Sequence, residues 1–200
     1  MTVQSVLLVT EFFHPHRGGI ETHVHALARH LNGVGIRAEV VTQFPGPNVV
    51  DEVTVHRLRT PLLPRLNVGF TTHAAKPFLK LLRSRSIDLV HCHLSVFGPG
   101  VSGAAFLAQR VGLPTVVTFH SILRGYEGAF RILDRMTAWT RLPIAFSAVS
   151  SPVADQVASL LGVESVPVLP AAIDPDAWSP LPPKGRDGAF RVVSTMRLTK

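Results

Sequence analysis

The chain has 200 residues, 46% hydrophobic and 16% charged, with 20 Lys+Arg against 13 Asp+Glu for a formal charge of +7. That balance excludes an intrinsically disordered chain, and no stretch reaches the roughly 20 apolar residues a membrane-spanning helix needs. A single cysteine, Cys92, excludes an intrachain disulfide framework, and the cationic surplus favours anionic partners without choosing among nucleotides, lipid headgroups and nucleic acid.

Strand-like and helical patterns alternate along the chain. The first apolar run, Ser5–Thr10, stops at Glu11, too short for a secretory signal. The polar loop after it ends in Gly18-Gly19 and opens a helix whose Ile20, Val24, Leu27 and Leu31 share one face. The glycines have neither the spacing of a dinucleotide fingerprint nor the Lys-Ser/Thr of a P-loop. Two readings stay open: a turn that brings backbone and helix N-terminus up to a diphosphate, or simply a tight strand-to-helix turn. His23, His25 and His30 flank the apolar stripe and read as solvated surface.

Strands follow at Ala38–Gln43 and at Val53–Leu58, whose alternation places the latter near a sheet edge. Segment Thr71–Arg85 sets Lys76, Lys80 and Arg83 on one helical face, interrupted by Pro77. A strand at Ile87–Cys92 brings His91, Cys92, His93 and Ser95 to its end, and Val101, Ala104, Ala105, Ala108 and Val111 mark the next helix. Strand Thr115–Phe119 delivers His120 and Ser121, with Arg124 beyond. The following helical pattern groups Arg124, Arg131, Arg135 and Trp139 on one side, with Tyr126, Phe130, Leu133 and Met136 toward the core. Strand Ile144–Val149 leads to a helix from Ser151, with Pro152 at its first position, and a last strand is expected at Ser165–Leu169.

Strands interleaved with helices define an α/β fold, a Rossmann-like doubly wound parallel sheet. The stretch "PAAIDPDAWSPLPP" holds five of the 16 prolines and reads as a stiff connector, after which "AFRVVSTMRLTK" starts a new strand. The expected division is a domain over residues 1–169, a linker over 170–188 and the truncated start of a second domain over 189–200.

Ligands of such sheets collect beyond the C-terminal strand ends. There His120 is placed to orient or deprotonate a hydroxyl or to donate to a sugar, the alternative being a histidine satisfied by local backbone. His91 and His93, two apart on a strand, face the same way. With His120 they raise the question of a metal, but no cysteine or carboxylate completes the set and Asp88 lies at the strand's other end, so no metal is assigned. Cys92 reads as a small buried residue.

Six segments in register, "FFHPHRGGIETHVHALARHL", "DLVHCHLS", "PTVVTFHS", "FSAVSSPVADQV", "VLPAAIDPDAW" and "STMRLTK", resemble retaining glycosyltransferases of the GT-B fold, family 4, over nearly the whole chain. The first segment is particularly similar to members that glycosylate phosphatidylinositol. The resemblance implies the N-terminal, acceptor-side lobe of a GT-B fold and a retaining transfer from a UDP- or GDP-sugar, with no tightly bound cofactor. It matches Gly18, Gly19 and Arg197 to groups on the donor diphosphate, and His120 to the active-site histidine. It sets His91 and His93 on the acceptor side, with a lipid-linked or small hydroxyl acceptor, and His14, Ser121 and Arg124, which follow strand ends at the same rim, are assigned to that pocket with them. The single cysteine fits a reducing cytoplasm, the two basic helical faces suggest a peripheral dock on the inner membrane face against the alternative of ordinary solvated faces, and the lack of aromatic residues interleaved with basic ones argues against nucleic acid. Where such enzymes commonly carry Pro-Asn-Gly, this chain has Pro170-Ala171-Ala172, so no contact is assigned to those alanines. The competing readings are a non-catalytic basic module docked on anionic membrane and a metal-assisted hydrolase built on His91, His93 and His120.

Overall fold

The structure is a computed structural model that describes residues 2–58, 72–84, 86–96, 98–123 and 125–171. Its elements follow the apolar pattern: β1 (Ser5–Thr10), α1 (Gly19–Gly33), β2 (Arg37–Thr42), β3 (Val49–Val50), β4 (Val53–Arg57), α2 (Thr72–Ser84), β5 (Leu89–Leu94), α3 (Pro99–Arg110), β6 (Thr115–Phe119), α4 (Glu127–Thr137), a 3₁₀ turn at Trp139–Arg141, β7 (Ile144–Ala148) and α5 (Ser151–Leu161). The strands form one sheet in the order β3-β4-β2-β1-β5-β6-β7. Every pairing is parallel except the short β3–β4 edge hairpin. The chain moves outward in one direction from β1 through β2 and in the other through β5, so the crevice at a topological switch lies between β1 and β5.

Alternation along β1 divides two cores. Val6 and Leu8 pack with Val24 and Ala28 of α1 and with Val40 and Val55 of β2 and β4. Leu7 and Val9 join the opposite core, built with Phe78 of α2, Ala104 and Ala108 of α3, Phe130 of α4 and Val157 of α5. Leu7 and Leu8 are both fully buried, each contributing about 1.5–3 kcal/mol of transfer free energy, which makes β1 the spine on which the rim residues are hung.

Four local readings change. Strand β5 runs two residues further than its apolar run implied, because His93 pairs in register with Thr10 and Thr118. The strand expected at Ser165–Leu169 reduces to one bridge, Val168 with Ala148. Pro167 lacks an N–H, and it contributes only its carbonyl, to the Ala148 N–H. Helix α2 runs through Pro77, since Ala74, Phe78 and Leu82 bury a continuous stripe that outweighs the missing backbone bond. Tyr126 is exposed at the N-cap of α4, while Phe130 is buried as the pattern required. The side chains of Leu133, Met136 and Trp139 lie outside the described residues, as do Arg124, Arg197 and the linker and second-domain boundaries beyond residue 171.

Candidate active site

The site begins where β1 runs out. Thr42 Oγ1 donates to the Glu11 carbonyl at 2.8 Å, and Phe12, His16 and Phe44 pack ring against ring. From β4, the Arg57 guanidinium donates to the carbonyls of Phe44, Pro47 and His14 at 2.6, 2.8 and 2.7 Å. A side chain at Gly46 would meet the His14 carbonyl at 2.8 Å and Pro15 at 2.7 Å, so the two loops close on each other only with glycine there. The turn reaching Gly18 and Gly19 is therefore held from the sheet's far edge.

The two glycines differ. Gly18 is the extended N-cap of α1, and a Cβ on it would fall 2.3 Å from Oε2 of Glu21. Glu21 is buried inside the first turn and accepts from His16 Nδ1 at 3.0 Å. Gly19 is exposed, and no atom lies within 4 Å of where its Cβ would stand. Nothing in the protein's own packing asks for glycine at Gly19.

One helical turn beyond Gly19, His23 leans over the sheet rim. Its ring centroid lies 5.3 Å from that of His120 and 5.6 Å from that of His93. The glycine turn and His120 thus share one rim, and His23, read from its spacing as solvated surface, is half-buried between them. His25, also half-buried, packs on His14 and Phe13, and only His30 is exposed. His14 is held in that second group and is not brought to His91 and His93.

On β5 and β6 the polar groups are wired across the sheet face. His91 Nε2 lies 2.7 Å from Thr118 Oγ1, which lies 2.7 Å from Ser147 Oγ on β7. His91 and His93 stack at 4.1 Å, on the same face as their spacing required. His93 is 1% exposed; its Nδ1 lies 3.0 Å from His120 Nε2, and its Nε2 is buried without a partner. His120 is anchored by its own N–H to the Leu94 carbonyl. Half-buried Ser121 follows it, and Leu123 N–H donates to Gln156 on α5, which fixes the exit of the loop.

Burial, reinforced by the imidazoles of His23 and His91, pushes His120 down to about 4. Burial and then His23 push His91 down to about 4, and burial drives His93 well below its ordinary value. These rings are neutral at pH 7, which selects among tautomers. If His120 donated to His93, the His93 Nε2–H would be a buried donor with nothing to receive it. The less costly arrangement has His93 Nδ1–H donating to His120 Nε2, leaving a bare lone pair on His93 Nε2. His120 then carries its proton on Nδ1, and its Nε2 lone pair is already engaged.

A second group escaped the sequence reading. Glu11 accepts from Ser95 Oγ at 3.2 Å beside Gly98, the N-cap of α3. Burial pushes its carboxyl up to about 7, partly offset by the serine bond. Cys92 is fully buried with its thiol pushed up by burial, as its inert reading required.

A family model described as Glycosyltransferase Family 4 matches residues 17–177, which include the glycine turn and every described histidine of the cluster. The chain belongs to glycosyltransferase family 4. It is 26% identical over 199 residues to a component of the human phosphatidylinositol N-acetylglucosaminyltransferase, covering 94% of this chain and 41% of that protein. It is 28% identical over 144 residues to a GDP-mannose-dependent alpha-mannosyltransferase of Mycobacterium tuberculosis, covering 67% of this chain and 37% of the relative. The crystal structure of a glycosyltransferase from Rickettsia africae superposes with a TM-score of 0.59 at 15% identity, over 88% of this chain and 45% of that one, a likeness of fold. The family 4 chain thus spans less than half the length of these proteins, and its doubly wound sheet is the Rossmann-like N-terminal lobe of their GT-B fold.

Proposed function

We propose that this family 4 chain is the acceptor-side lobe of a retaining glycosyltransferase that moves a sugar from a UDP- or GDP-sugar to a hydroxyl, on an inositol-type or other lipid-linked acceptor. Residues 1–169 form the lobe, 170–188 the connector and 189–200 the entry to the donor-holding lobe. The observation that carries the reading is the meeting of Gly19's helix turn with His120 through His23, at one rim of the sheet. An acceptor of inositol type rests on the similarity to the human phosphatidylinositol N-acetylglucosaminyltransferase component.

In the reaction, the bond between the sugar's anomeric carbon and the diphosphate breaks while the acceptor oxygen bonds to that carbon from the same face. The unfilled N–H groups behind Gly18 and Gly19 meet the growing negative charge on the diphosphate, with Arg197 as their partner from the second lobe. Neutral His120, with Nε2 engaged by His93, acts as a hydrogen-bond donor to the sugar or acceptor, not as a base. The acceptor proton passes to the departing diphosphate. His91, His93, Ser121 and Arg124 border the acceptor, with Glu11 as an additional polar group at the α3 side of the rim. The exposed Lys76, Lys80 and Arg83 face of α2 holds the cytoplasmic protein against anionic lipid.

The test uses the full-length enzyme with labelled UDP- and GDP-sugars and phosphatidylinositol or soluble polyol acceptors. One donor is expected to be consumed with retention. His120→Ala is expected to lower kcat by about 100-fold or more at unchanged circular dichroism. Near-normal turnover in that variant would remove His120 from the reaction.

A further inference from the structure

Three imidazoles from three separate elements converge at the rim: His23 of α1, His93 of β5 and His120 after β6. Each offers a ring nitrogen, and the three nitrogens lie within 4.8 Å of one another. The trio differs from the one the sequence singled out. His91, though adjacent, spends its Nε2 on Thr118, and His23 takes its place.

We propose that His23, His93 and His120 form a binding site for a borderline divalent transition metal of the zinc or cobalt class. Nitrogens around tetrahedral zinc stand about 3.3 Å apart for Zn–N bonds near 2.05 Å. His93 Nδ1 and His120 Nε2 are already 3.0 Å apart. Only His23, half-buried on a helix flank, has to approach, which rotation about its side-chain bonds supplies.

Coordination through His93 Nδ1 takes the place of the proton it shares with His120, and that proton moves to the buried His93 Nε2, which has no acceptor, a cost set against the coordination bonds. No carboxylate belongs to the trio. An all-imidazole set favours zinc, cobalt or nickel over the oxygen-seeking magnesium and calcium. The buried His93 closes one side while His23 and His120 remain partly exposed, so a fourth position would face the rim. An ion there and a sugar would compete for His120.

Cobalt(II) added to the purified, metal-stripped protein tests the site, because tetrahedral nitrogen coordination gives a visible absorption band. One equivalent is expected to bind with that band, to be displaced by zinc and to be untouched by millimolar magnesium. His23→Gln, at a half-buried position, is expected to weaken binding by at least about tenfold while His25→Gln, on the other flank of α1, leaves it unchanged. Absence of the band in a folded wild type, or a band that survives His23→Gln at full affinity, would overturn the site. Metal binding is read without any sugar transfer, so failure here and failure of the glycosyltransferase reading are separate results.

Discussion

Two neighbouring glycines carry different duties, and single substitutions separate them. At Gly18 an alanine Cβ would press on the Glu21 carboxylate and disturb its bond to His16. At Gly19 the same Cβ meets no protein atom, and alanine in place of glycine in a helix favours folding by roughly 0.5–1 kcal/mol. Gly19→Ala is therefore expected to leave thermal stability equal or higher while raising KM for the nucleotide sugar; Gly18→Ala is expected to lower stability as well. An unchanged KM in Gly19→Ala would return that residue to the role of a plain turn. The sequence showed both glycines but not this division, which depends on where Glu21 folds back. It also hid His23, because helical spacing reveals which face is buried and not what stands beside the flank. A usable signal existed: Gly19 and His23 are one turn apart, and the first turns of a helix that leaves a strand's C-terminal end face the rim of the next strand.

At the scale of elements, the spacing of apolar and charged residues was enough to locate six of the seven described strands and the five described helices, the two-residue β3 being missed. Boundaries were harder. Strand β5 outlasts its hydrophobic run because His91 and His93 satisfy its face through ring stacking and hydrogen bonds instead of apolar burial. Helix α2 was legible in its charge and not in its core stripe: Lys76, Lys80 and Arg83 are exposed as their spacing required, while Ala74, Phe78 and Leu82 are buried as a stripe that runs through Pro77. If that face docks on lipid, co-sedimentation with vesicles containing phosphatidylserine should exceed that with neutral phosphatidylcholine vesicles and fall with added salt. Each neutralised lysine should remove about 1 kcal/mol of binding. Equal binding to both vesicle types would dismiss the electrostatic dock.

For the molecule as a whole, the buried imidazoles set a dependence on pH. His91 and His120 lie near 4 and His93 well below its ordinary value when folded, against about 6.5 in an unfolded chain. Between those values the unfolded chain binds more protons, so this contribution is complete above about 6.5 and is lost as pH falls toward 4. Glu11 acts the other way: its carboxyl, pushed up to about 7, contributes fully below about 4.5 and loses that contribution as pH rises through 7. His23 and His25 are lowered as well, so five lowered imidazoles outnumber one raised carboxyl among the described residues. The urea midpoint is expected to drop between pH 7 and pH 5, and a higher midpoint at pH 5 would mean the carboxyl dominates. The doubly wound plan followed from alternation of strands and helices, whereas this protonation balance did not, because it arises from side chains brought together by parallel register across β5 and β6.

The guanidinium of Arg57 has a wider consequence. By tying three carbonyls from two loops, it sets the bend before Gly18 and Gly19 at the moment of folding, with little freedom left to lose when a guest arrives. A jaw built this way is stationary. Any tightening around the guest then falls to whatever closes over this rim.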